Sequence, residues 1–151
     1  MSISSDGQIC YGLSFDEDTE FPWGEQEVDE WWREEHNFVP STKIYDAEGQ
    51  YIGGERPSKE VMEAYYAEQR AWDAAHPVPV ERVLHCSYDY PMVILAVPGT
   101  FKNASRGYPE AIDQFALTIT DAQREALLSF CREYEIEIPG EPKWWLSSMY
   151  G

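Results

Sequence analysis

The chain has 151 residues and a formal net charge of −17, and this charge is concentrated near its start. Residues 1–36 hold 11 acids against one base, so this segment alone carries −10. A field of this sign repels nucleic acid and anionic membranes and attracts the basic surfaces that bind them. The aromatic content of 15% excludes a disordered acidic chain, since such chains lack the apolar area needed to fold. We expect one folded domain over residues 1–151.

The first elements predicted along the chain are a strand and a short helix separated by an acidic turn. Residues 9–15 alternate apolar residues with Cys, Gly and Ser, which is the period of a half-buried strand. Residues 26–36 predict a helix that places tryptophans on one side and carboxylates on another.

A hairpin and a longer helix follow. Residues 43–52 predict a hairpin with Gly49 in the left-handed conformation. Residues 58–76 predict a helix that begins at the N-cap Ser58 and ends before Pro77, because a residue before proline avoids helical geometry.

The second half of the chain predicts three further strands and one helix. Residues 83–88 and 92–97 read as paired strands, and the unbroken apolar run 92–97 predicts a central strand covered on both faces. Residues 99–114 predict a long loop, and residues 115–119 predict another strand. Residues 121–134 predict a helix with a capping box.

Strands and helices mix without a βαβ rhythm, so the predicted fold class is α+β. We expect an antiparallel or mixed sheet of about five or six strands with two or three packed helices.

From the number and spacing of the cysteines and histidines we expect no metal site, no cofactor and no catalytic residues. Cys10, Cys86 and Cys131 are odd in number and lie in apolar runs, which predicts buried free thiols in a reducing cytosol. His85 and Cys86 are adjacent on a strand and so face opposite sides, and we expect a partly buried histidine beside a core-facing cysteine. His76 ends a predicted helix, where an imidazole complements the helix dipole.

The N-terminus lacks the features of a secretory signal, and the longest apolar run is too short to span a bilayer. We therefore expect a cytoplasmic protein.

The acidic segment is the main candidate for binding a partner. Carboxylates on one helix face lie about 5–6 Å apart, which is comparable with phosphate spacing along a DNA strand. Neighbouring tryptophans offer hydrophobic anchors, since aromatic residues dominate interface energies. The alternative is a solvated acidic face over buried tryptophans. The candidate residues are Asp16, Glu17, Asp18, Glu20, Glu27, Glu30, Glu34, Trp31 and Trp32.

The loop at 99–114 is a secondary candidate, because Lys102, Ser105 and Arg106 give it a local excess of positive charge. An ordinary surface loop explains the same residues.

Several segments resemble a group of small acidic uncharacterised proteins encoded by tailed bacteriophages. The resemblance implies an accessory protein made in the cytosol of the bacterial host, where small acidic phage proteins often disable nucleases. The segments are Ile9-Cys10-Tyr11-Gly12, Phe21-Pro22-Trp23, Tyr90-Pro91-Met92-Val93-Ile94-Leu95-Ala96-Val97, Ser105-Arg106-Gly107-Tyr108-Pro109 and Trp144-Trp145-Leu146-Ser147-Ser148.

Three functions follow from these observations. The leading hypothesis is a non-enzymatic inhibitor of the anti-CRISPR or anti-restriction kind, which acts by DNA mimicry. It would bind a basic nucleic-acid-binding groove of a host protein or nucleoprotein complex, without binding nucleic acid or membrane itself. One alternative is a small hydrolase that acts on a nucleotide signal through a pocket near the 99–114 loop. The other is a structural or assembly protein of the virion.

Overall fold

The computed structural model describes residues 5–150, and its fold class is α+β as the sequence predicts. The chain divides into two compact units. The sheet unit comprises Met1–Gly24 and Pro79–Gly151, and the insert unit comprises Glu25–Val78. In chain order the elements are β1 (Ser5–Ser14), α1 (Val28–Glu35), α2 (Lys59–Ala75), β2 (Glu81–Ser87), β3 (Pro91–Ala96), β4 (Lys102–Ser105), α3 (Asp121–Glu133) and β5 (Lys143–Tyr150), with short 3-10 helices at Ile52–Gly54 and Gln114–Ala116.

The sheet unit contains one mixed five-stranded sheet in the order β3-β2-β5-β1-β4, with a further pairing between β3 and β1. The strands β1, β3, β2 and β5 therefore form a closed circuit of pairings. All pairs are antiparallel except β2 with β5. The ten residues of β1 serve three neighbours: its first half pairs with β4, its end pairs with β3, and β5 runs along most of its length.

The core of this unit follows the apolar runs of the sequence. Ile94, Leu95, Ala96 and Val97 are consecutive and all buried, which confirms coverage of both faces over the second part of the predicted strand 92–97, whereas Met92 and Val93 are half-buried. Strand β1 can approach β3 closely because Gly12 has no side chain at the crossing point.

Helix α3 confirms the predicted capping box. The Thr120 hydroxyl accepts a hydrogen bond from the Gln123 amide at 3.1 Å, and the Gln123 side chain accepts one from the Thr120 amide at 2.9 Å. The buried face of the helix carries Leu127, Phe130 and Cys131.

Three sequence predictions need correction in the sheet unit. The predicted 99–114 loop contains the edge strand β4, which pairs with β1 from Asp6 to Ile9. The predicted strand at 115–119 is absent from the described structure, and Phe115 there is 74% exposed. Cys86, predicted to face the core, is exposed at the end of β2, where its φ of 77° turns the chain.

The insert unit is held together by contacts between its two helices and the segment that joins them. Ser58 caps α2, as predicted. The Arg33 guanidinium donates to both carboxylate oxygens of Asp73 at 2.8 and 2.7 Å, which ties α1 to α2. Trp32 adds a second tie, because its indole N–H donates to the His76 carbonyl at 3.0 Å.

The predicted hairpin at 43–52 is reduced to one isolated bridge between Tyr45 and Tyr51. Gly49 has a φ of 79°, so the left-handed turn is confirmed.

Candidate functional site

The acidic loop after β1, residues 16–20, borders an open hollow of about 560 Å³ in the sheet unit. This hollow is here called the acidic hollow. Its described lining residues include no lysine or arginine. They are Phe15, Asp16, Asp18, Thr19, Glu20, Glu135, Glu137 and Pro139. Five carboxylates from two distant parts of the chain therefore meet around one depression. Such a concentration of negative charge is electrostatically complementary to a basic surface.

Local contacts hold the acidic loop in place. The Thr19 hydroxyl donates to the Asp16 carboxylate at 2.9 Å, and this bond closes the turn. Behind the loop, Phe21 contacts Phe15 edge-on at 5.1 Å between ring centroids and stacks on Trp23 at 4.9 Å. Aromatic packing thus anchors the chain on either side of the loop, so the loop backbone needs little ordering on binding.

The sequence predicts Asp16, Asp18 and Glu20 as site residues, whereas Glu135 and Glu137 are not among the predicted residues. The missed pair alternates with Ile136, which is 5% exposed, and with the half-buried Ile138. An alternation of acid and apolar residues was the available signal, since burial of one set exposes the other.

Helix α1 carries the second group of predicted carboxylates. Glu27, Glu30 and Glu34 are all exposed, as expected for an acidic face. Trp31 and Trp32 are 5% and 8% exposed, so neither ring is open to a partner in this structure. Their burial favours the role of a packed support beneath the acidic face.

A second hollow, of about 410 Å³, lies on the insert unit and is here called the tyrosine hollow. It joins acids of α1 to tyrosines that are not among the site residues predicted from the sequence. Its lining residues are Glu27, Asp29, Glu30, Arg33, Tyr45, Tyr65, Tyr66 and Gln69. Desolvation raises the pKa of Tyr45, and the neighbouring tyrosines reinforce this shift, so its phenol is neutral at physiological pH.

The secondary candidate residues lie on or next to β4. Lys102 and Ser105 are the first and last residues of that strand, and both are exposed, as is Arg106. Lys102 also lines a hollow of about 200 Å³ together with Glu110, Ile112 and Leu146. Among the described residues of that lining there is no Ser, Cys or His to act as a nucleophile or imidazole base.

Two of the histidines contact carbonyls at helix ends, and the third is partly buried. The Nδ1 atoms of His36 and His76 lie 2.9 and 3.0 Å from the carbonyls of Trp32 and Trp72, at the ends of their helices. His85 is partly buried, as predicted, and burial lowers its pKa below the ordinary value.

The cysteines are all free, and two of them are deep in the sheet unit. Burial raises the pKa of both Cys10 and Cys131 to about 11. Both are therefore protonated and unreactive at neutral pH, since the thiolate is the nucleophilic form.

Within residues 5–150, no group of three or more His, Cys, Asp or Glu side chains is arranged to hold a metal ion. None of the helices described between those limits is long and apolar enough to cross a membrane. Comparison with protein-family models, curated proteins and solved structures finds no match to this chain.

Proposed function

We propose that this protein is a non-enzymatic inhibitor that occupies a basic nucleic-acid-binding groove of another protein. The partner would be a host defence or nucleic-acid-processing complex, and the protein would act in the cytosol of a bacterial cell as a product of a tailed bacteriophage. The observation that carries the proposal is the acidic hollow, where carboxylates from residues 16–20 and 135–137 surround one depression.

A high net charge keeps a protein soluble even when its charged side chains are dispersed, so solubility does not require carboxylates to converge on one surface. Clustered like charges repel one another and destabilise the compact state. The acidic hollow nevertheless brings together Glu135 and Glu137 with acids more than a hundred residues away in sequence. The exposed carboxylates of α1 add a second acidic surface. Both surfaces resemble in charge the phosphate backbone that a basic groove binds.

The test uses three variants, each of which replaces three exposed acids with Lys and changes the net charge equally. The replaced sets are Glu27, Glu30 and Glu34 on α1; Asp18, Glu20 and Glu137 at the acidic hollow; and, as a control, Glu48, Glu55 and Asp89, which neither belong to α1 nor line the acidic hollow.

Each protein is added to purified CRISPR effectors, restriction enzymes and recombination nucleases that are cleaving labelled DNA. We expect the wild type and the control to inhibit one of these enzymes in competition with DNA. We expect both test variants to inhibit it at least about tenfold less, because steering by charge raises association rates 10-fold or more. Inhibition should also weaken as salt rises, since charge is screened over about 10 Å at 0.1 M.

Equal inhibition by all three variants would mean that the acidic clusters serve solubility. Cleavage of a nucleotide signal by the purified protein would instead favour the hydrolase alternative, and the β4 residues Lys102 and Ser105 would be the first to mutate.

A further inference from the structure

The tyrosine hollow combines aromatic walls with carboxylates on one concave surface. The rings of Tyr45 and Tyr65 have centroids 6.3 Å apart and stand at 84° to each other. Tyr65 and Tyr66 are 5.4 Å apart at 77°. Successive walls are therefore nearly perpendicular. Tyr45 and Tyr66 are 44% and 43% exposed, so much of their ring surface is accessible to a ligand.

The electrostatics of the tyrosine hollow are negative. Glu27, Asp29 and Glu30 contribute three carboxylates from the start of α1. Arg33 also lines the hollow, but one edge of its guanidinium donates through Nε and Nη2 to the two carboxylate oxygens of Asp73, at 2.8 and 2.7 Å. The one basic side chain in the lining is thus neutralised within the unit, and the carboxylates set the sign of the field.

The segment that carries Tyr45 is fixed before any ligand arrives. The Glu68 carboxylate accepts hydrogen bonds from the amide and hydroxyl of Ser41 at 2.7 and 2.6 Å, and from the hydroxyl of Thr42 at 2.6 Å. Ile44 is 1% exposed and anchors the chain next to Tyr45. Tyr51 stacks on Tyr45 at 5.5 Å and 15°. A wall held in this way loses little entropy on binding.

This combination is suited to an organic cation. The negative faces of aromatic rings attract cations, and arginine is the usual biological partner because its planar guanidinium is weakly hydrated and stacks on rings. Carboxylates add charge-assisted hydrogen bonds in the plane of the guanidinium. A volume of about 410 Å³ lies within the usual range of ligand sites.

We infer that the tyrosine hollow is a binding site for the guanidinium group of an arginine side chain, which the basic partner inserts when the complex forms. The identity of that partner rests on the proposed function, whereas the chemistry of the hollow does not. Recognition of arginine in this hollow would explain how a diffuse charge attraction becomes a docked complex in one register.

The test is an NMR titration of the full chain with the peptide acetyl-Gly-Arg-Gly-amide in about 0.15 M salt, where the Debye length is about 8 Å. The same peptide with citrulline in place of arginine is the neutral control. We expect the arginine peptide to shift the resonances of Tyr45, Tyr65 and Tyr66 in a saturable way, and the citrulline peptide to shift them at least about tenfold more weakly.

Two substitutions test the walls separately. Tyr66→Leu removes a ring, and Glu30→Gln removes a carboxylate with little change of shape. Tyr66→Leu should weaken binding of the arginine peptide about two- to fivefold, as expected for one exposed cation–π contact. Glu30→Gln should weaken it at least about tenfold, as expected for one hydrogen bond to a charged group. Their controls are Tyr108→Leu, an exposed tyrosine of the sheet unit, and Glu48→Gln, an exposed acid of the insert unit outside the lining. Both controls should bind as the wild type does.

The inference is overturned if arginine and citrulline peptides bind alike, if the shifts spread over all acidic surfaces, or if Tyr66→Leu and Glu30→Gln both leave the affinity unchanged. Nuclease inhibition that persists in those cases would retain the proposed function without the arginine site. Peptide binding in the hollow without inhibition of any nuclease would retain the site and reject the proposed function.

Discussion

Replacement of Gly12 by alanine should disrupt the crossing of β1 and β3. A Cβ atom at Gly12 would lie 2.7 Å from the Cα of Ala96 and 2.8 Å from the carbonyl carbon of Leu95, and closer still to the Leu95 carbonyl oxygen. Carbon atoms in contact normally lie about 3.5–4.0 Å apart, so the two strands would have to separate by roughly 1 Å.

The expected loss of stability combines two effects. Overpacking of a tight site costs about 1–3 kcal/mol. Separation of the strands also weakens the ladder in which Gly12, Leu13 and Ser14 pair with β3, and each lost hydrogen bond costs about 0.5–1.5 kcal/mol. We expect Gly12→Ala to lower the free energy of unfolding by about 3–5 kcal/mol, which is a large part of the 5–15 kcal/mol of a typical domain.

Gly7 provides the matched control, because it lies on the same strand and a Cβ there meets nothing within 4 Å. Gly7→Ala should leave stability unchanged or raise it by about 0.4–1 kcal/mol, since it restricts the unfolded chain. Urea unfolding followed by circular dichroism gives both values, with equal m-values required for the comparison. Unfolding free energies of Gly12→Ala and Gly7→Ala that agree within about 1 kcal/mol would refute the steric argument.

Three further predictions concern buried polar groups, pH and thiols. Thr100→Val should lower the free energy of unfolding by about 1–3 kcal/mol in urea, because the Thr100 hydroxyl accepts a hydrogen bond from the buried Tyr11 amide at 3.1 Å. Thr100→Ser should keep that hydrogen bond, and equal losses of stability in the two variants would contradict this role. Hydrogen bonds from Ser41 and Thr42 lower the pKa of Glu68 from 4.5 to about 2. The ionised Glu68 carboxylate therefore stabilises the folded protein fully above pH 4.5, and this contribution is lost as the pH falls toward 2. Thermal melts should therefore show the wild type losing its advantage over Glu68→Gln across that range, and an unchanged difference would count against it. Native maleimide labelling read by mass spectrometry should modify Cys86 alone, and rapid labelling of a second cysteine would disprove the burial of the other two.

The sequence by itself determined the helices of this protein, because their signals are local. Capping residues act within one helical turn, and two of the helices begin next to such residues. Helix α2 begins after Ser58, and α3 begins after Thr120, which forms a capping box with Gln123. The apolar run at 92–97 likewise predicted burial on both faces, which the structure shows for residues 94–97. The exposure of Glu27, Glu30 and Glu34 followed from helical periodicity alone.

Only the tertiary structure decided which segments pair and which side chains meet. Residues 143–150 carry no clear alternation, yet they form β5 because β1 offers a partner for the whole strand. Residues 115–119 are apolar enough for a strand, yet they pair with no neighbour among the described elements. The acidic hollow and the tyrosine hollow each join side chains from separate segments. Such convergence depends on contacts between segments that are distant in sequence. The sequence of either segment alone therefore does not show which other segment it meets.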